Sequence, residues 1–132
     1  MKIQSVWQGG FKSVVDNCRG HKFTVDLPML QHGENEGAIA VEAFVMSFAG
    51  CITTFYAKMA KKLNVELEEM RCDVKAESGF ETIEHIELVL HVRANGKLGK
   101  LQQAFDLTCL NCPAGIILRR AGVIIDSSLN IL

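Results

Sequence analysis

Between Ala38 and Ile52 only Glu42 and Ser47 are polar. Val41, Phe44, Phe48, Cys51, Phe55, Met59 and Leu63 recur at spacings of three and four, which predicts one long helix over residues 38–63. A helix that is apolar nearly all round has to be covered on most sides. A single small sheet covers one side, so a second layer or a second subunit is needed. The far end regains polar residues, among them Lys58, Lys61 and Lys62, and is expected to emerge toward water. The most apolar stretch, residues 37–52, is shorter than the ~20 residues that span a bilayer and carries Glu42. The expectation is therefore a core helix and no membrane partner.

The chain has 132 residues, of which 48% are hydrophobic and 22% charged. That is a length for one domain, residues 1–132, and a composition too apolar for disorder. A net charge of −1 gives no broad basic field for nucleic acid. The N-terminus lacks the charged and apolar regions of a secretory leader, which sets a cytoplasmic expectation. The five cysteines, Cys18, Cys51, Cys72, Cys109 and Cys112, are an odd number without that leader, which argues against a disulfide scaffold.

Three short strands are predicted over residues 2–8, 11–16 and 21–26, with turns at Gly9-Gly10 and at 16–20 and a loop over 27–36. After the long helix, Met70, Cys72, Val74 and Ala76 alternate with charged residues. Ile86, Leu88, Leu90 and Val92 do so with His85, Glu87 and His91, which gives an antiparallel hairpin about residues 78–81. His85 and His91 share one strand face and read as solvated residues. A helix over 98–110 buries Leu101, Ala104, Phe105 and Thr108. It breaks at Asn111-Cys112-Pro113, because a residue before proline disfavours the α region. A short helix through Arg120 and a strand over 123–131 complete the order βββ-α-ββ-αα-β. This is an α+β fold with antiparallel strands.

Cys51 follows Gly50 in mid-helix. A glycine there costs about 1 kcal/mol relative to alanine, which a close approach by another backbone or a substrate would explain. Ser47, one turn earlier, could offer a hydroxyl. Cys112 is placed at a helix start, where free N–H groups and the helix dipole favour a thiolate. Local physics thus makes Cys112 the better thiolate and Cys51 the more desolvated thiol. Cys109 and Cys112 also form a C-x-x-C. Zinc binding and thioredoxin-type chemistry compete for that motif. A zinc site needs about four ligands, and no second such pair is present.

At these cysteines the chain resembles the OsmC/Ohr family. The run from Ala40 to Cys51 is similar to its first-cysteine helix, P-x-E-L-L-x-A-x-x-G-C, with Ala40 about where the proline stands. Asn111-Cys112-Pro113 resembles its C-P-V motif, with Ala114 in place of the valine, and the run from Arg19 to Asp26 resembles its third strand. The resemblance implies an OsmC-like fold, antiparallel sheets packed on a long central helix, in an intertwined homodimer. It implies that Cys51 attacks an organic hydroperoxide, that Cys112 resolves the sulfenic acid as a disulfide, and that an external dithiol, such as a lipoyl group, restores the pair without a bound cofactor or metal. The family's hydroperoxidases carry an activating arginine near the N-terminal glycines. Here Phe11 and Lys12 follow Gly9-Gly10, and Arg19 is the preferred substitute. Glu42 corresponds to the family's glutamate. Nine residues before Cys51 puts it half a turn out of phase, so its part would be to orient a cation.

Two other functions remain open on the sequence. One is a non-catalytic protein of this fold that binds an apolar small molecule or partner at the dimer cleft. The other is a metal-binding protein using Cys109, Cys112 and a histidine. The apolar helix itself generates a prediction that holds for the first two readings. Light scattering at micromolar concentration should return the mass of a dimer, and a monomeric mass would remove the intertwined arrangement.

Overall fold

A computed structural model describes the whole chain, residues 1–132. The chain divides into two compact units, Met1–Phe44 and Val45–Leu132. The first holds an antiparallel three-stranded sheet of β1 (Gln4–Gly9), β2 (Lys12–Asp16) and β3 (Lys22–Val25), in that order. Gly9 and Gly10 both have positive φ, the requirement of the tight turn between β1 and β2. In the next turn Cys18 also has positive φ, held by its N–H to Asp16 Oδ1 at 2.6 Å. Cys18 is thus a turn residue, and an exposed one.

The loop after β3 is organised by Asp26, which is 3% exposed and accepts backbone N–H groups from Leu27, Glu34 and Glu36. Burial opposes its charge, but these three donors, with Lys12 nearby, outweigh that and hold its pKa below the ordinary value. Lys12 pairs with Glu34 and Glu36, each at 2.6 Å.

Helix α1 (Ala40–Lys62) runs from the first unit into the second. Its N-terminus is closed by Glu42, whose Oε2 accepts the N–H of Ile39 at 3.0 Å, one half of a capping box. The second unit adds β4 (Glu66–Ser78), β5 (Ile83–Asn95), α2 (Leu98–Asn111), α3 (Pro113–Arg120) and β6 (Ile124–Ile131). Its sheet has the order β4-β5-β6. Strand β4 pairs with β5 antiparallel, as the hairpin reading expects. The expectation of antiparallel strands throughout fails at β6, which pairs with β5 parallel. The two helices between them carry the chain back along the sheet, so β6 enters at the same end as β5. Alternation of apolar residues is blind to strand direction.

The core of this unit lies between that sheet and the helices. Ile86, Leu88, Leu90 and Val92 of the central strand are buried, with Leu101, Ala104, Phe105 and Thr108 of α2 and Leu118 of α3. On α1 the buried residues are Phe48, Ile52, Tyr56, Met59 and Ala60. The predicted stripe meets this set only at Phe48 and Met59; Val41 and Phe44 are exposed, and Cys51, Phe55 and Leu63 are only half-buried. A helix apolar nearly all round does not announce which face is inward. Each fully buried large side chain contributes about 1.5–3 kcal/mol, so the Phe48-Ile52-Tyr56 edge fixes the rotation of α1.

Only 17% of the most apolar 18-residue window of α1 is buried within the chain, and Met46 is among its exposed residues. With 23 residues, α1 is also long and apolar enough to cross a membrane by length and composition, which the 37–52 stretch alone did not suggest. Its buried edge packs as a core helix does.

The outer face of the second sheet carries the two histidines. His85 Nε2 lies 2.7 Å from Asp126 and its Nδ1 3.7 Å from Glu77. His91 lies 3.0 Å from Asp73 and 2.9 Å from Asn130. They are partnered across the strands rather than simply solvated. The hydrogen bond to Asp126 is the main reason the His85 pKa is raised.

Candidate active site

Cys51 lies on α1 beside the buried edge, between Phe48 and Ile52. Cys112 lies between α2 and α3, in an extended conformation with φ −62° and ψ 117°. Pro113 forces that conformation and starts α3. The Cys112 N–H still donates to Thr108 O at 2.9 Å, and its carbonyl accepts from Ile116 N at 2.9 Å, so one residue closes one helix and opens the next. Burial of Ala104, Phe105 and Thr108 holds this junction against the core.

The result is that Cys112 Sγ donates to Cys51 Sγ at 3.1 Å, across 61 residues of sequence. Both cysteines are free thiols. A hydrogen-bonded pair at this distance can close to a disulfide, about 2.05 Å between sulfurs, with small side-chain movement.

The environments of the two thiols are the reverse of the sequence expectation. Cys112 has no exposed surface, whereas Cys51 is half-buried. Burial pushes the Cys112 thiol up to about 11, and the neighbouring Cys51 adds to this. The N–H groups of Gly115 and Ala114 at the start of α3 do oppose the shift, as a helix N-terminus should, but they lose to desolvation. Burial therefore favours the protonated form of Cys112.

Gly50 has no side chain or backbone within 4 Å of where a Cβ would stand. The close approach expected there is not made by this chain. Gly115 is different. A Cβ would meet Arg119 at 3.3 Å, Phe48 at 3.5 Å and the Cβ of Cys112 at 3.7 Å. The small residue lets α3 pack close to the cysteine pair.

Arg19 and Glu42 both belong to the first unit. Arg19 stands in the exposed turn between β2 and β3, its N–H held by Asn17 Oδ1 at 2.9 Å. The carboxylate of Glu42 caps α1. Lys12, the weaker candidate cation, is engaged by its two glutamates, whose hydrogen bonds raise its pKa further. Of the four candidate residues, the structure brings Cys51 and Cys112 together.

Sequence reasoning missed Arg119, which lies seven residues after Cys112 on the same face of α3 and donates to Leu110 O at 3.4 Å. It lines a small cavity of about 30 Å³ with Phe48, Ile52, Leu88, Cys109, Gly115, Ile125 and Ser127. The two-turn spacing from Cys112 was the available signal. For a metal, ligating atoms of Glu77, His85 and Glu87 lie within 4.8 Å of one another on the outer sheet face. That cluster contains neither cysteine of the C-x-x-C.

The OsmC-like protein family model matches residues 33–128. The chain belongs to the OsmC-like family. No curated protein sequence matches it. Among solved structures, an OsmC-like protein from Mycoplasma pneumoniae is similar over 99% of this chain and 96% of its own, with a TM-score of 0.87 and 14% identity. An organic hydroperoxide resistance protein OsmC from Legionella pneumophila matches over 98% and 95%, with a TM-score of 0.71 and 16% identity. The organic hydroperoxide resistance protein OhrB of Bacillus subtilis matches over 99% and 96%, with a TM-score of 0.64 and 18% identity. At these identities the likeness establishes the OsmC fold, an α+β arrangement with two sheets and a long helix.

The raised pKa of Cys112 is directly testable. In a Cys18→Ser, Cys72→Ser, Cys109→Ser background, thiolate absorbance near ~240 nm should show one thiol ionising only in the alkaline range, near 11. Two thiolates already formed at pH ~8 would contradict the raised pKa of Cys112.

Proposed function

We propose that this OsmC-like protein is a thiol-dependent peroxidase that reduces organic hydroperoxides. The observation that carries the reading is the 3.1 Å approach of Cys112 Sγ to Cys51 Sγ. Cys51, half-buried, is the sulfur open to a substrate. Its thiolate attacks the terminal oxygen of the hydroperoxide, the O–O bond breaks, Cys51 becomes a sulfenic acid, and the departing alkoxide takes a proton from solvent to leave as alcohol. Cys112 then attacks the Cys51 sulfur. Its proton and the sulfenic hydroxyl leave as water, and the disulfide forms. An external dithiol, a lipoyl group among the candidates, returns both thiols.

The hydroperoxide resistance proteins among its structural relatives support this substrate class. The exposed apolar face of α1 supports assembly as a homodimer, with a second copy covering Val41 and Met46. Arg19, whose guanidinium stays charged when desolvated, is the residue we assign to activation of Cys51, and Glu42 to its orientation. The reading places the protein in the cytoplasm, without nucleic acid or membrane as a partner.

With cumene hydroperoxide and excess dithiol, Cys51→Ser should fall to the uncatalysed background. Arg19→Ala should slow both peroxide reduction and Cys51 alkylation at neutral pH by about tenfold, the effect of one pKa unit. Part of the alkylation rate should return as pH is raised. Wild-type turnover by Cys51→Ser would refute the reading, and an unchanged alkylation profile in Arg19→Ala would remove Arg19 from it.

A further inference from the structure

The C-x-x-C of Cys109 and Cys112 has no part in the scheme above, yet three observations bear on it. The first is spacing. Helix α2 continues through Asn111, and the Cys112 N–H still bonds to Thr108 O. The backbone from Cys109 to Cys112 is therefore a helical turn. The rise and radius of such a turn place the two Cα atoms about 5 Å apart, inside the roughly 4.4–6.8 Å range of disulfides.

The second is access. Cys112 is wholly buried, but Cys109 is half-buried and borders the cavity it shares with Arg119 and Ser127. The third is chemistry. The Cys109 thiol lies 3.6 Å from Ser127 Oγ. Burial raises its pKa and the Asp106 charge adds to this, while the Ser127 hydroxyl and the Arg119 charge offset part of the rise. Cys72 senses both Cys109 and Cys112, but burial holds its thiol up at about 11. Of these two neighbouring thiols, Cys109 is the one that borders a cavity and has a hydroxyl beside its sulfur.

We propose that Cys109 is a third redox residue, which accepts the disulfide from Cys51 through exchange at Cys112. The inference rests on the peroxidase reading for the source of the oxidising equivalents. The Cys109 thiolate donates an electron pair to the Cys112 sulfur. The Cys109–Cys112 bond forms, the Cys51–Cys112 bond breaks, and its electron pair leaves on Cys51 as a thiolate. Nothing is oxidised or reduced overall, and no proton is required. The exchange frees Cys51 for a second peroxide and moves the disulfide to α2, where an external dithiol attacks the half-exposed Cys109 sulfur.

The experiment is a rapid-quench time course with one equivalent of cumene hydroperoxide, with alkylation and disulfide mapping by mass spectrometry. Cys51–Cys112 should appear first and Cys109–Cys112 should grow from it while Cys51 becomes alkylatable again. Cys109→Ser should hold the disulfide at Cys51–Cys112. Ser127→Ala should slow the transfer at neutral pH and recover as pH rises, which a merely structural role would not produce. Under the same peroxide, Cys51→Ser should form no Cys109–Cys112. If it forms that bond as fast as wild type, the pair is oxidised independently and the relay is wrong. A parallel oxidation with diamide separates this inference from the peroxidase reading, since diamide oxidises dithiols without a peroxide step. Both disulfides should be populated at equilibrium. Cys109 fully alkylated at every time, with diamide as with peroxide, overturns the relay whatever the peroxide does.

Discussion

The packing of one edge of α1 against β5 is the contact from which the rest of the second unit takes its geometry. Phe48, Ile52 and Tyr56 lie in the same core as Ile86, Leu88, Leu90 and Val92. With that edge fixed, Cys51 has one place to be, beside Phe48 and partly open. The α2–α3 junction is fixed by the same core through Phe105, Thr108 and Leu118. Two sulfurs from distant parts of the chain therefore meet because their helices share one apolar layer, with no bond between them required. Cys112 belongs to that core and Cys51 packs against it, which sets the 3.1 Å separation of the two sulfurs.

The chemistry follows from the unequal burial of the pair. A thiol with no exposed surface keeps its proton, and its neighbour at the edge of the core is the one a substrate can meet. The start of α3 moderates this imbalance without reversing it, since the N–H groups of Ala114 and Gly115 face the Cys112 sulfur.

Much of this was legible in the sequence because it rests on local pattern. Period-two alternation gave β4 and β5, and Pro113 gave the break at Cys112. Leu101, Ala104, Phe105 and Thr108 were read correctly as the inner face of α2. The resemblance singled out Cys51 and Cys112. What the sequence did not carry was whatever depends on three-dimensional enclosure. The inner face of α1 was misread because apolar residues surround it. The parallel pairing of β6 depends on the path of two helices, which no alternation records. The burial of Cys112 was hidden for the same reason: a helix start is visible in sequence, and total enclosure of the residue before it is not. Glu42 was read for chemistry, and the structure shows its carboxylate capping α1.

The central claim is that the Cys51–Cys112 pair performs one two-electron peroxide reduction per chain. The most direct measurement is the single-turnover stoichiometry of the reduced protein with limiting cumene hydroperoxide and no added dithiol. The account predicts one alcohol formed for every two thiols lost and, in the Cys109→Ser protein, where the pair cannot pass its disulfide on, a titration that saturates at one equivalent per chain. Thiol loss without alcohol, or hydroperoxide that survives contact with the reduced protein, would contradict it.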